Sequence, residues 1–88
     1  MKIELHPQFK KSYKLRITNN QGLQKQTSKR ISLFQENSES PILKDHPLKG
    51  SKKKLRSFSV NGDIRIVYIR ISKDHIIFLD IGSHNQVY

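Results

Sequence analysis

Leu55-Arg56-Ser57-Phe58-Ser59-Val60, Asn61-Gly62, Ile64-Arg65-Ile66-Val67-Tyr68-Ile69-Arg70-Ile71 and Ile76-Ile77-Phe78-Leu79-Asp80-Ile81 decide the fold. The first run reads as a strand, and the second is rich in the β-branched residues that suit a pleated surface. Between them, Asn61-Gly62 is the strongest two-residue hairpin pattern in the chain. Lys73-Asp74 turns the chain again. The third run is continuously apolar, as expected of a strand buried in the middle of a sheet.

Working back towards the N-terminus, residues 42–53 have the character of a loop, punctuated by Pro47 and Gly50. Before that, two helices are predicted. Pro7 sits at a first helical position, and Phe9, Tyr13 and Ile17 then recur at spacing four on one face. Lys10, Lys11, Lys14 and Arg16 occupy the other faces. Asn19-Asn20-Gln21-Gly22 breaks that helix. Leu23, Thr27, Ile31 and Phe34 form a second stripe, which runs out near Ser38-Glu39-Ser40-Pro41. Met1 to Leu5 alternates as a short half-buried strand. The expected order is β-α-α-β-β-β, an α+β fold with a helical hairpin on one face of a small antiparallel sheet. The other face stays partly open.

The 88 residues allow one domain, 1–88, with a modest core: 34% of them are hydrophobic. With no cysteine, neither disulfides nor thiolate metal sites support it. No apolar run approaches the length of about 20 residues that spans a bilayer, and the first residues are too polar for a signal peptide. The expected location is the cytoplasm, with no membrane partner. Lys and Arg number 17 against 7 Asp and Glu, a net charge of +10. That bias, clustered as well as large, points to a polyanion, with nucleic acid first.

Asp45-His46-Pro47-Leu48-Lys49-Gly50 leads into the lysine run Lys52-Lys53-Lys54, and Gly82-Ser83-His84 lies near the other end. Cleaving RNA without a metal requires deprotonation of a 2′-hydroxyl, stabilisation of the phosphorane charge and protonation of the leaving 5′-oxygen. Histidine titrates in the right range for both proton transfers, and lysine and arginine suit the charge. His46, His84, Asp63, Arg65 and Arg56 are the candidates, with Lys49, Lys52, Lys53 and Lys54 on RNA phosphates. Taken singly, each has a plainer reading: a turn-capping His46, a tail His84, a turn Asp63, a solvated Arg65 and a solvated lysine run. Taken together they fall at strand ends and turns that a small sheet brings close. His6 and His75 lie apart and carry no assigned role. The four histidines are too dispersed for a metal site. The glycines form no phosphate-binding loop, so no cofactor is expected.

Phe9-Lys10-Lys11, Leu43 to Gly50, Arg56-Ser57-Phe58, Gly62 to Tyr68 and Ile81 to Tyr88 together resemble the RelE/ParE superfamily of bacterial type II toxins, in its YafQ-like branch. The resemblance covers nearly the whole chain. The paired Asp-His-x-Leu-x-Gly and Gly-Ser-His segments carry its specificity. It implies an endoribonuclease that cuts messenger RNA in the ribosomal A site by metal-independent 2′-hydroxyl attack. It also implies a cognate antitoxin as partner, besides ribosome and messenger RNA. His46, Asp63, His84 and Tyr88 match positions that act in YafQ-like toxins, Tyr88 as a base-stacking aromatic, and Arg65 matches the catalytic arginine of the wider RelE group. ParE-like gyrase inhibitors share the fold but lack this histidine set. One position departs from the pattern: Ser59 stands where YafQ-like members can carry a further histidine. That substitution sustains the alternative of a non-catalytic basic adaptor that binds RNA or the ribosome without cutting. Which histidine is acid and which base is open at this level.

Overall fold

The computed structural model describes residues 1–52 and 54–88; the candidate Lys53 lies outside them. The chain runs β1 (Lys2–Leu5), α1 (Pro7–Arg16), α2 (Gln21–Glu36), β2 (His46–Pro47), β3 (Leu55–Ser59), β4 (Ile64–Ser72), β5 (His75–Ser83) and α3 (His84–Val87). The five strands form one sheet in the order β1-β5-β4-β3-β2. The apolar run of β5 is therefore internal, as its composition predicts.

Both long helices start where side chains satisfy their first amides. His6 Nδ1 accepts from the Gln8 N–H at 3.0 Å, with Pro7 following it. Asn20 Oδ1 accepts from the Leu23 N–H at 3.0 Å. The predicted stripes turn inward: Phe9, Ile17, Thr27 and Phe34 are buried, while Tyr13, Leu23 and Ile31 are partly covered. Phe34 stacks on Phe58 of β3 at 4.6 Å between centroids, and Phe9 reaches Phe78 of β5 at 5.5 Å. The centre of the core is thus aromatic, where ring pairs add specific geometry to area burial.

Three expectations are corrected in detail. The sheet is mixed, not antiparallel, because β1 lies parallel to β5, from Lys2↔His75 to Leu5↔Phe78. Alternation over five residues reports a half-buried strand but not its partner's direction. The Asn61-Gly62 turn is longer than two residues. Strands β3 and β4 stop at Ser59 and resume at Ile64, paired through Ser59↔Arg65. There the Asn61 side chain does the turning, accepting from the Asp63 and Ile64 N–H groups at 2.8 Å each. Gly62 keeps a negative φ, so the primed turn that Asn-Gly favours is not used. Lastly, the loop-like segment carries structure of its own. A 3₁₀ turn at Pro41–Leu43 buries Leu43, β2 adds an antiparallel edge through His46↔Ser57 and Pro47↔Arg56, and a second 3₁₀ turn spans Gly50–Lys52. Among the described residues no helix is long and apolar enough to cross a membrane.

Candidate active site

The face of the sheet away from α1 and α2 carries a cleft of about 370 Å³. His46, Pro47, Leu48, Lys49, Lys52, His84 and Tyr88 line it. Residues far apart in sequence meet there because β2 supplies one wall and the exit from β5 supplies the other.

His46 is exposed on the edge strand, and its Nδ1 lies 2.9 Å from the Lys44 carbonyl oxygen. A carbonyl only accepts, so the neutral ring carries its proton on Nδ1 and keeps a lone pair on Nε2. Tyr88 stands between the two histidines. Its ring centroid is 6.5 Å from that of His46 and 4.4 Å from that of His84, edge-on to both. Its hydroxyl bonds the Ser57 hydroxyl, and Ser57 is the buried register partner of His46. The tail is therefore folded back over the sheet. The Ser83–Gln86 capping box starts α3 and presents His84 in its first turn. From α1, Arg16 steadies the same junction: its Nη1 donates to the Ile81 carbonyl at 3.0 Å and lies 3.5 Å from Asp80. Sequence reasoning does not single out Ser57 or Arg16. Nothing local announces Tyr88 as the partner of Ser57.

The other candidates sit further out. Arg65 is half-buried on β4, between Ser59 and Gly82. Ile64 pairs with Ser83, so Asp63 and His84 are the next positions outward at the same end of the sheet. Among the described residues no ion pair engages Asp63 or Arg65. Lys54 is exposed in the turn before β3 and does not line the cleft. Ser59 spends its hydroxyl on the Asn61 carbonyl at 2.5 Å.

Arg56 is the correction. Its register partner is Tyr68, whose ring lies in the core beneath α2, so it projects away from the cleft. Its Nε donates to Asp45 Oδ1 at 2.7 Å, and the Tyr68 hydroxyl donates to Asp45 Oδ2. The Asp45 hydrogen bond raises the Arg56 pKa. Burial first, and Asp45 second, raise that of the Tyr68 phenol far above its ordinary value. The run Arg56-Ser57-Phe58-Ser59 does not show which alternate faces inward, because only Phe58 in it is apolar. Among the described residues no group of three His, Cys, Asp or Glu side chains is placed to hold a metal ion.

The model of YafQ, the bacterial toxin of type II toxin–antitoxin systems, matches residues 1–88. This chain belongs to the YafQ toxin family. The YafQ-family chain is similar in structure to YafQ from E. coli strain BL21(DE3), with a TM-score of 0.81 and 25% identity over 99% of this chain and 97% of that one. It is similar to a chain of the E. coli DinJ-YafQ complex, with a TM-score of 0.80 and 26% identity over 99% and 97%. A metal-bound toxin from Helicobacter pylori gives a TM-score of 0.79 and 31% identity over 100% and 99%. No curated protein sequence matches the YafQ-family chain.

Proposed function

We propose that this type II toxin is a ribosome-dependent endoribonuclease that cuts messenger RNA in the A site by metal-independent 2′-hydroxyl attack. One observation carries the reading: two histidines share a cleft, with an aromatic ring between them and two lysines at its rim. His46, with Nε2 unprotonated, takes the proton of the 2′-hydroxyl. The 2′-oxygen attacks the neighbouring phosphorus, and His84 protonates the departing 5′-oxygen. Arg65 and the lysines offset the charge that develops on the phosphorane. Asp63, at the same sheet end as His84, orients that imidazole. Tyr88 offers an aromatic surface to a base. Lys49 and Lys52, with Lys53 and Lys54, contact phosphates.

A cognate antitoxin is the expected partner, by analogy with the DinJ-YafQ complexes. The site of action is the cytoplasm, where translating ribosomes are found. A second reading, a basic adaptor that binds without cutting, draws on Ser59, whose hydroxyl is committed to the turn and offers no proton transfer near neutral pH. Primer extension on messenger RNA from a purified translation reaction separates the two. The nuclease leaves new 5′-hydroxyl ends and 2′,3′-cyclic phosphates, with and without chelator; the adaptor stalls translation on intact message.

A further inference from the structure

Asp45 spends a nearly buried carboxylate on the sheet face opposite the cleft, where the mechanism does not use it. Its side chain is 11% exposed, and both oxygens are engaged, by Arg56 and by Tyr68. The two donors are register partners on adjacent strands, so the carboxylate is pinned to the sheet at two points. Tyr68 is itself packed into the core: 1% exposed, with its ring 5.0 Å from Phe34 and 6.0 Å from Phe58. The arginine side chain is 41% exposed, so solvent screens its attraction for the carboxylate, and the pair is a poor source of net stability. What the arrangement provides is position.

Asp45 is the middle residue of Lys44-Asp45-His46. Lys44 before it adopts the left-handed conformation, φ 51° and ψ 38°. That conformation is unfavourable for a residue with a Cβ by roughly 1–2 kcal/mol. The strained turn aims the Lys44 carbonyl at His46 Nδ1. Burial of Leu43 holds the segment on one side, and the carboxylate holds it on the other.

We propose that Asp45 is the positioning residue of His46: clamped by Arg56 and Tyr68, it maintains the Lys44 turn whose carbonyl fixes the imidazole proton on Nδ1 and leaves Nε2 for substrate. Its consequence for cleavage rests on the nuclease reading above; its consequence for the imidazole does not.

Nitrogen-15 spectra of the histidine rings in the full chain test this, recorded at a pH about two units above the ordinary histidine value of about 6.5. His6 is the internal control, because its Nδ1 accepts from the Gln8 amide and so must carry its proton on Nε2. Wild-type His46 should show the opposite tautomer to His6. In Asp45→Ala, His46 should move towards the Nε2–H form that a free imidazole prefers, with His6 and His84 unchanged. Tyr68→Phe keeps the ring packing and removes one donor; it should shift His46 the same way by less, and it carries the test if Asp45→Ala does not fold. Cleavage by Asp45→Ala should fall about 10²-fold in kcat at unchanged KM, the scale of a displaced reacting group. A wild-type His46 with its proton on Nε2 would overturn the proposal. So would a His46 tautomer unmoved in both folded variants. A tautomer shift with undiminished cleavage would uphold the clamp and remove His46 from the chemistry. Wild-type protein that never cleaves would sink the nuclease reading, and the spectra alone would still decide the clamp.

Discussion

The two faces of the sheet use the same kinds of side chain to opposite ends. Beneath the helices, Phe34, Phe58, Tyr68 and Phe78 interlock at centroid distances of 4.6 to 6.0 Å, and Asp45 has both oxygens occupied. On the other face, Tyr88 and Ser57 form a scaffold that leaves His46 and His84 exposed. Among the described residues no ion pair neutralises Lys49 or Lys52 at the rim. One face is consistent with stability at every level. The other breaks that consistency with unpaired charge, which is where a functional site is expected. The helix face should therefore answer to stability measurements, and the cleft face to activity and salt.

The sharpest break comes from His84→Ala. It should slow message cleavage by about 10²–10⁴-fold, the scale for losing a positioned acid or base. The midpoint of thermal unfolding should hardly move, because the side chain is exposed; a large stability loss would contradict the division of labour between the faces. Phe34→Ala is the mirror experiment. It removes a fully buried ring and should cost about 3–5 kcal/mol in denaturant unfolding, while the folded fraction keeps its specific activity. Gly82→Ala tests the seam between the faces. An added methyl would lie 2.7 Å from Arg16 Nη1 and 2.7 Å from Gln86 Oε1. The ends of both side chains can swing away, but each gives up a hydrogen bond, to Ile81 and from Ser83, and the Gln86 Cβ at 3.1 Å must shift with its backbone. The expected loss is about 1–2 kcal/mol, with activity falling as the tail that carries His84 loosens. The smallest effect belongs to Lys49→Ala/Lys52→Ala. Each lost phosphate contact on a single strand should reduce the slope of log affinity against log salt by about 0.7. An unchanged slope would move the basic footprint to Lys10, Lys11, Lys14, Lys25 and Lys29 on the helices.

Much of this division is legible in the residues. The Ile64–Ile71 and Ile76–Ile81 runs, the Lys73-Asp74 turn and the two apolar helix stripes report the elements and the core, because burial imposes periodicity on them. The cleft is legible in part. His46, Lys49, Lys52, His84 and Tyr88 stand out by type and do converge on one cavity. Arg56 stands out equally and points the other way, because β3 has too few apolar residues to reveal its inward phase. Ser57 and Asp45 act through partners 31 and 23 residues away, and no local pattern encodes such a pairing. The parallel course of β1 is hidden for the same reason.

That parallel course also orders the events of folding. The β3–β4–β5 meander closes through short turns, whereas β1 must find β5 across a long loop; Glu4 and His75, bonded at 2.9 Å, are 71 residues apart in sequence. Non-local pairing loses loop entropy before it gains contacts, so it comes late. Substitutions in β1, such as Ile3→Ala, should then speed unfolding and leave the refolding rate nearly unchanged, a distinction that stopped-flow kinetics reads directly. Until β1 docks, the continuous apolar run of β5 has one bare edge, and the repulsion of a chain carrying ten excess positive charges keeps two such edges from meeting.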